Sequence, residues 1–199
     1  VMMDSNGCNT TAAAAVAAAG QHFPLNENTA VVLGGTGPVG HRVAQLLAME
    51  GADVTLVSRG LDRAEQTCRH IRSQTDSGTL RPAAAAAPEE VTAVCQNATM
   101  VFAAGAAGVC FLPEGALQTL SSLRIAVDLN AVPPVGIADI SVTDKAAEKH
   151  GTLCYGAIGV GGLKMKVHRR AVASLFESND RVLTTAEIYQ LARQLLSNS

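Results

Sequence analysis

The chain of 199 residues has no tryptophan, two tyrosines and four phenylalanines, and charge of either sign is scarce: 16% of residues are charged and the formal net charge is −2. A protein that embraces nucleic acid through a basic surface is excluded by that balance. Five cysteines, at 8, 68, 95, 110 and 154, make an odd count without a Cys-x-x-Cys pair. That excludes a disulfide framework and a zinc cluster, and it fits reduced thiols in a cytoplasmic setting. His22, His41, His70, His150 and His168 show neither metal-ligand spacing nor a nucleophile motif, so no metal is expected. The acidic residues form no pair suited to acid–base work. Long hydrophobic runs are missing as well. The apolar stretch 12–19 has no lysine or arginine ahead of it, unlike a secretory signal. The stretch 98–113 is interrupted by Gly105 and Gly108 and falls short of the ~20 residues that span a bilayer. No membrane association is expected.

Apolar content, at 48%, is ample for a folded core and excludes a disordered chain. The length suits one large domain, or a domain plus a fragment, burying roughly 70% of the unfolded surface. Apolar runs of strand length alternate with helical periodicity, the signature of a doubly wound, mostly parallel α/β sheet flanked by helices. The pattern predicts strands over 29–34, 53–57, 79–84, 99–104, 124–129 and 152–157. It predicts helices over 38–49, 62–73, 88–97 and 113–120, and an alanine-rich helix capped by Asn9 or Thr10 and ending at Ala19. Pro133-Pro134 stops regular structure. Gly159, Gly161 and Gly162 read as a break before a helix over 163–176, and Thr184 with Glu187 has capping-box spacing before a last helix. The division is a linker helix over 1–21, a nucleotide-binding domain over 22–160, and C-terminal helices over 161–199 that pack back on it. The chain opens Val1-Met2-Met3-Asp4 and is expected to begin partway through a larger protein.

Gly35-Thr36-Gly37-Pro38-Val39-Gly40 matches G-x-G-x-x-G between a β-branched strand and an amphipathic helix. In that setting the glycines permit a tight turn and a close approach to pyrophosphate, and the helix start meets its charge. The domain is therefore expected to be Rossmann-like. Ligands of NAD usually find an acid about twenty residues on, at the end of the second strand. Here that place reads Val57-Ser58-Arg59. An acid would repel a ribose 2′-phosphate, whereas Arg59 would hold it through charge-assisted bonds, with Ser58 as a neutral donor. NADP is the expected cofactor. Arg63 either adds charge or lies on a solvated helix face.

The small residues Ala103, Ala104 and Gly105 end the next strand where the nicotinamide ribose would pass, although they also suit close packing. Asp128 and Asn130 end the following strand at the same edge, as ligand contacts or as a turn cap. Lys164, Lys166, His168, Arg169 and Arg170 form a basic cluster, read as a solvated helix face or as an anion site. Lys164 and His168, one turn apart, could share a face toward the cleft.

Four blocks carry a family resemblance. They are Asp4-Ser5-Asn6-Gly7-Cys8-Asn9-Thr10-Thr11-Ala12-Ala13-Ala14, the glycine loop from Val32 to Gly40, Asp128-x-Asn130-Ala131-x-Pro133-Pro134-x-Gly136-Ile137, and Gly156-Ala157-Ile158-Gly159-Val160-Gly161-Gly162-Leu163-Lys164-Met165-Lys166-Val167-His168-Arg169. In them the sequence resembles the nucleotide-binding, C-terminal part of NADP-dependent methylene-tetrahydromethanopterin dehydrogenases. The resemblance implies hydride transfer between a tetrahydropterin one-carbon carrier, or its tetrahydrofolate analogue, and NADP in one-carbon metabolism. It also implies a homo-oligomer, and a pterin-binding domain that precedes this one or is supplied by a partner chain. Asn9, Asp128, Lys164 and His168 are the residues expected to face substrate, and no catalytic residue is assigned. Hydride transfer of this kind needs positioning more than acid–base help. Two other readings stay open: a noncatalytic NADP-binding module, and a fragment of a shikimate-type dehydrogenase, whose Gly-x-x-Met helix is similar to Gly162-Leu163-Lys164-Met165.

Overall fold

The six expected strands lie side by side in a computed structural model that describes residues 2–3 and 7–197. Asp4, Ser5 and Asn6, in the first of the resemblance blocks, lie outside the described residues. In chain order the elements are β1 (Met2–Met3), α1 (Cys8–Gly20), β2 (Thr29–Leu33), α2 (Pro38–Met49), β3 (Asp53–Ser58), α3 (Leu61–Arg72), β4 (Thr79–Ala84), α4 (Pro88–Cys95), β5 (Met100–Ala103), α5 (Ala116–Thr119), β6 (Ile125–Asp128), β7 (Lys145–Lys149), β8 (Thr152–Tyr155), α6 (Ala157–Ser174), β9 (Val182–Leu183) and α7 (Thr185–Ser197). The main sheet has the order β4-β3-β2-β5-β6-β8-β7, parallel throughout except for β7, which runs antiparallel to β8.

Both faces of the sheet are covered, which is why the central strands β2, β5 and β6 carry apolar residues at successive positions rather than at alternate ones. Ala30, Val32, Val54, Leu56, Met100 and Phe102 face a core shared with α1, α2, α3, α6 and α7. Val31, Leu33, Val57, Val101 and Ala126 face a second core with α4 and α5. Helix α1 lies against α2, α6 and α7, with every residue from Ala12 to Ala19 buried. Alanine brings helix propensity and almost no bulk, so three other helices can close on one axis.

Three expectations need correction. Helix α1 starts at Cys8 behind Gly7, whose φ of 76° is left-handed, so Asn9 and Thr10 are inside the helix rather than capping it. The hydroxyls of Thr10 and Thr11 turn back to the Gly7 carbonyl instead. Helix α6 starts at Ala157, so Gly159, Gly161 and Gly162 are helical. Three glycines in a few residues argue against a helix by propensity. Here Gly156 and Gly159 are needed because the 141–145 segment crosses the helix start: a β-carbon on Gly159 would lie 1.8 Å from the Asp144 carbonyl oxygen. Val142 O accepts from the amides of Ile158 and Gly159, so that helix end is already satisfied. Third, the edge strand β7 and the short parallel pair β1–β9 were not anticipated. Half of the expected Thr184–Glu187 capping box is present: the Thr184 amide donates to Glu187 Oε2 at 2.8 Å, and the Thr184 hydroxyl pairs with the same carboxylate oxygen. Among the described residues no helix is long and apolar enough to cross a membrane.

Candidate functional site

The strand order reverses direction between β2 and β5, because the chain runs outward through β3 and β4 before β5 returns to the other side of β2. At such a switch point the loops after adjacent strands diverge and leave a crevice at the carboxyl edge. Gly34 and Gly105 end these two strands and meet backbone to backbone. Gly34 has a left-handed φ of 69°, and a β-carbon on it would lie 2.6 Å from the Gly105 α-carbon. The turn then continues through Gly35, whose amide donates to Val57 O, and Gly37, whose amide donates to Gly34 O at 3.0 Å. Gly40 closes the helix onto the turn, since a β-carbon there would sit 2.4 Å from the Gly34 carbonyl oxygen.

Gly37 is extended and Pro38 opens α2, with no side chain capping the helix start. The Val39 and Gly40 amides, in the first turn of α2, have no acceptor a turn earlier. Thr36 is half-buried in the turn, Pro38 is exposed, and Val39 packs partly on the core beneath it. This cradle fits a pyrophosphate: backbone donors, a helix dipole, and glycines at 34, 35, 37 and 40.

One strand over, β3 ends in buried Ser58 followed by exposed Arg59. Arg59 makes no hydrogen bond or ion pair with another described residue, so its guanidinium is available to a ligand. Arg63 is exposed in the first turn of α3, beside Asp62. No acidic residue stands at the β3 end itself.

Ala103 is buried, and Ala104 donates its amide to Leu33 O. The room beside Gly105 is taken by Phe111: a β-carbon on Gly105 would come within 2.3 Å of the ring. Phe111 thus forms part of the crevice wall, and sequence reasoning passed over it. Its one signal was rarity, as one of four phenylalanines. Gly136 was missed in the same way. A β-carbon there would lie 2.8 Å from Asp128 Oδ1 and 3.0 Å from the Ala103 β-carbon.

Asp128 is buried and holds the next loop. Its Oδ1 accepts from the Asn130 amide at 3.0 Å, and its Oδ2 from the Ile137 amide at 2.9 Å. Burial pushes its carboxyl above the ordinary range, while backbone amides of Asn130, Ile137 and Gly136 pull the other way. Asn130 accepts from the Val132 amide and donates Nδ2 to the Pro134 carbonyl. Both side chains shape the 128–137 loop at the crevice edge. Asn9 is buried in α1, where its Oδ1 accepts from Arg42 Nε at 2.5 Å and Thr185 Oγ1 at 2.8 Å, tying α1 to α2 and α7. Lys164, half-buried on α6, brings its Nζ to 3.8 Å from where a Gly7 β-carbon would be, and half-buried His168 follows one turn later.

Fold and crevice together define a Rossmann-type dinucleotide-binding domain of the α/β class. No protein-family model matches the sequence. The chain is 46% identical over 198 residues to the bifunctional protein MdtA of Methylorubrum extorquens, covering 98% of this chain and 68% of that protein. It is 30% identical over 207 residues to the NAD(P)-dependent methylenetetrahydromethanopterin dehydrogenase of the same organism, covering 98% and 69%. The chain belongs to this family of NAD(P)-dependent methylenetetrahydromethanopterin dehydrogenases. Solved structures share the fold at low identity. A Gluconobacter 5-ketofructose reductase superposes with a TM-score of 0.57 at 19% identity, over 94% of this chain and 63% of that one. Quinate dehydrogenase of Corynebacterium glutamicum gives 0.55 at 17%, over 94% and 62%. The chain thus spans about two thirds of its relatives and somewhat less of these solved chains.

Proposed function

We propose that this chain is the NADP-binding part of a dehydrogenase that moves a hydride between methylene-tetrahydromethanopterin, or its tetrahydrofolate analogue, and NADP. The observation that carries the cofactor choice is Arg59: an unengaged guanidinium stands where an NAD site places a carboxylate. NADP, when bound, supplies the nicotinamide that takes or gives the hydride. The chain's own residues orient it. The 34–40 turn grips the pyrophosphate, Ser58 and Arg59 take the 2′-phosphate with Arg63 one turn on, and Ala104 borders the ribose path, which Phe111 walls on the side of Gly105. Among the described residues Asp128 is the one carboxylate at this crevice edge and it is engaged with the backbone of its own loop, which suits a reaction whose barrier is lowered by placing two carbons at near-attack distance.

The pterin reading rests on the family relationship, and so does a homo-oligomeric assembly. Lys164 and His168, on α6, are the residues we assign to the substrate side; Asn130 shapes the loop on the cofactor side, and Asp128 and Asn9, expected to face substrate, hold neighbouring elements in place instead. The test is a calorimetric comparison of NADP with NAD, followed by an absorbance assay at the reduced-nicotinamide band with methylene-tetrahydromethanopterin. Tighter NADP binding with pterin-dependent reduction in the full-length protein is expected. Equal affinities would remove the role of Arg59, and NADP binding without turnover of either carrier would leave a noncatalytic module.

A further inference from the structure

The tertiary fold brings together two histidines whose spacing along the chain gave no sign of it. His41 lies on α2 and His70 on α3; Gln45 follows His41 by four residues on the same face of α2, and Gln74 follows His70 by four residues in the turn after α3. The two imidazole rings have centroids 5.6 Å apart and planes at 66°. Gln45 Nε2 donates to Gln74 Oε1 at 3.0 Å, and Gln74 Nε2 lies 3.2 Å from His70 Nε2. The His70 Nε2 lone pair therefore points into the cluster, where an amide donor now meets it.

We propose that His41 and His70 form a two-imidazole site for a borderline divalent transition ion, clamping α2 to α3. The geometry suits it. With an ion–nitrogen distance of about 2.1 Å, each ring centroid stands about 3.2 Å from the ion, and a tetrahedral angle separates the two centroids by about 5 Å. The observed 5.6 Å requires only a modest opening of that angle. In front of the pair is a cavity of about 470 Å³, lined also by Gln45, Gln74 and Met49, with room for coordinating waters. Nitrogen, amide oxygen and thioether donors favour Ni²⁺, Cu²⁺ or Zn²⁺ over Ca²⁺ or Mg²⁺. Arg42 borders the same cavity and its charge opposes a cation, although its Nε and Nη1 are directed at Asn9 Oδ1 and the Pro38 carbonyl. Among the described residues no third histidine, cysteine or carboxylate converges there. The site is accordingly an exchangeable one, weaker than a four-ligand structural zinc centre.

Titrating Ni²⁺ into the full chain, with thiols kept reduced, is expected to show one saturable ion per chain and a rise in Tm. Either His41→Ala or His70→Ala should weaken binding at least tenfold, whereas His168→Ala should leave it unchanged. Imidazole NMR of the unsubstituted protein with Zn²⁺ provides a readout that does not depend on variant folding: His41 and His70 resonances should move together, and those of His22, His150 and His168 should not. Unchanged affinity in either single variant, or zinc-induced shifts at other histidines only, overturns the proposal.

Discussion

Phe111 fills the space that Gly105 leaves by having no side chain, and Gly105 in turn rests against Gly34 at the mouth of the phosphate turn. Three residues from two loops therefore set the width of the crevice. A methyl group on Gly105 has nowhere to go unless the ring moves. Gly105→Ala is expected to cost about 1–3 kcal/mol of stability by overpacking. The double variant with Phe111→Ala should recover most of that loss, a non-additivity that urea denaturation reads directly. Simple additivity of the two changes would mean that the ring yields without strain.

Arg59→Asp places a carboxylate where, in the proposed binding mode, NADP would carry its extra phosphate. A charge-assisted bond there is worth ~1.5–3 kcal/mol, so NADP affinity should fall by roughly tenfold to a hundredfold or more. NAD affinity should change little. A matched loss for both nucleotides, measured by calorimetry, would reduce Arg59 to a packing role.

Asp128 has a carboxyl raised by burial above its ordinary value of 3.8. A raised acid favours the fold below the unfolded pKa, and that contribution is lost as pH rises through the folded value. Measured against Asp128→Asn, which does not titrate, the parent protein should lose relative stability as pH rises from 3.8 upward and then level off. The Asn variant should also be less stable at every pH, because its amide nitrogen would face backbone donors at Asn130 or Ile137. Urea midpoints across a pH series test both statements, and a flat difference would contradict the first.

Burial pushes the Cys95 thiol up to about 12 and the Cys154 thiol up to about 11. Thiolate is the reactive form, so both should resist alkylation near pH 8 in the native protein and react fully in denaturant. Mass mapping of the labelled peptides decides the matter; rapid native labelling of Cys95 would mean that the α4 face opens readily.

Much of the architecture was legible because its causes are local. Strands such as 29–34 and 53–57 announce themselves by short apolar runs, and the Gly35–Gly40 spacing between strand and helix marks the turn. The Thr184–Glu187 cap is likewise a matter of neighbours in sequence. What escaped were features whose cause lies elsewhere in the chain. The α6 start looked like a glycine break because propensity counts residues one at a time, while the reason for Gly156 and Gly159 is the backbone of 141–145 crossing them. Asp128 and Asn130 could be placed at the carboxyl edge, but their shared work in shaping the 128–137 loop depends on Ile137 and Pro134 folding back.

Composition, periodicity and motif spacing were thus enough to establish a parallel α/β sheet with a glycine turn between its first strand and helix and a cation at the end of β3. They act through backbone dihedrals and the sidedness of single elements, which neighbouring residues control. The meetings of Gly34 with Gly105, of Phe111 with Gly105, and of His41 with His70 were decided by folding alone. Apolar faces state that an element must pack, yet not against which distant partner, and that choice belongs to the order of strands and the closing of helices over them.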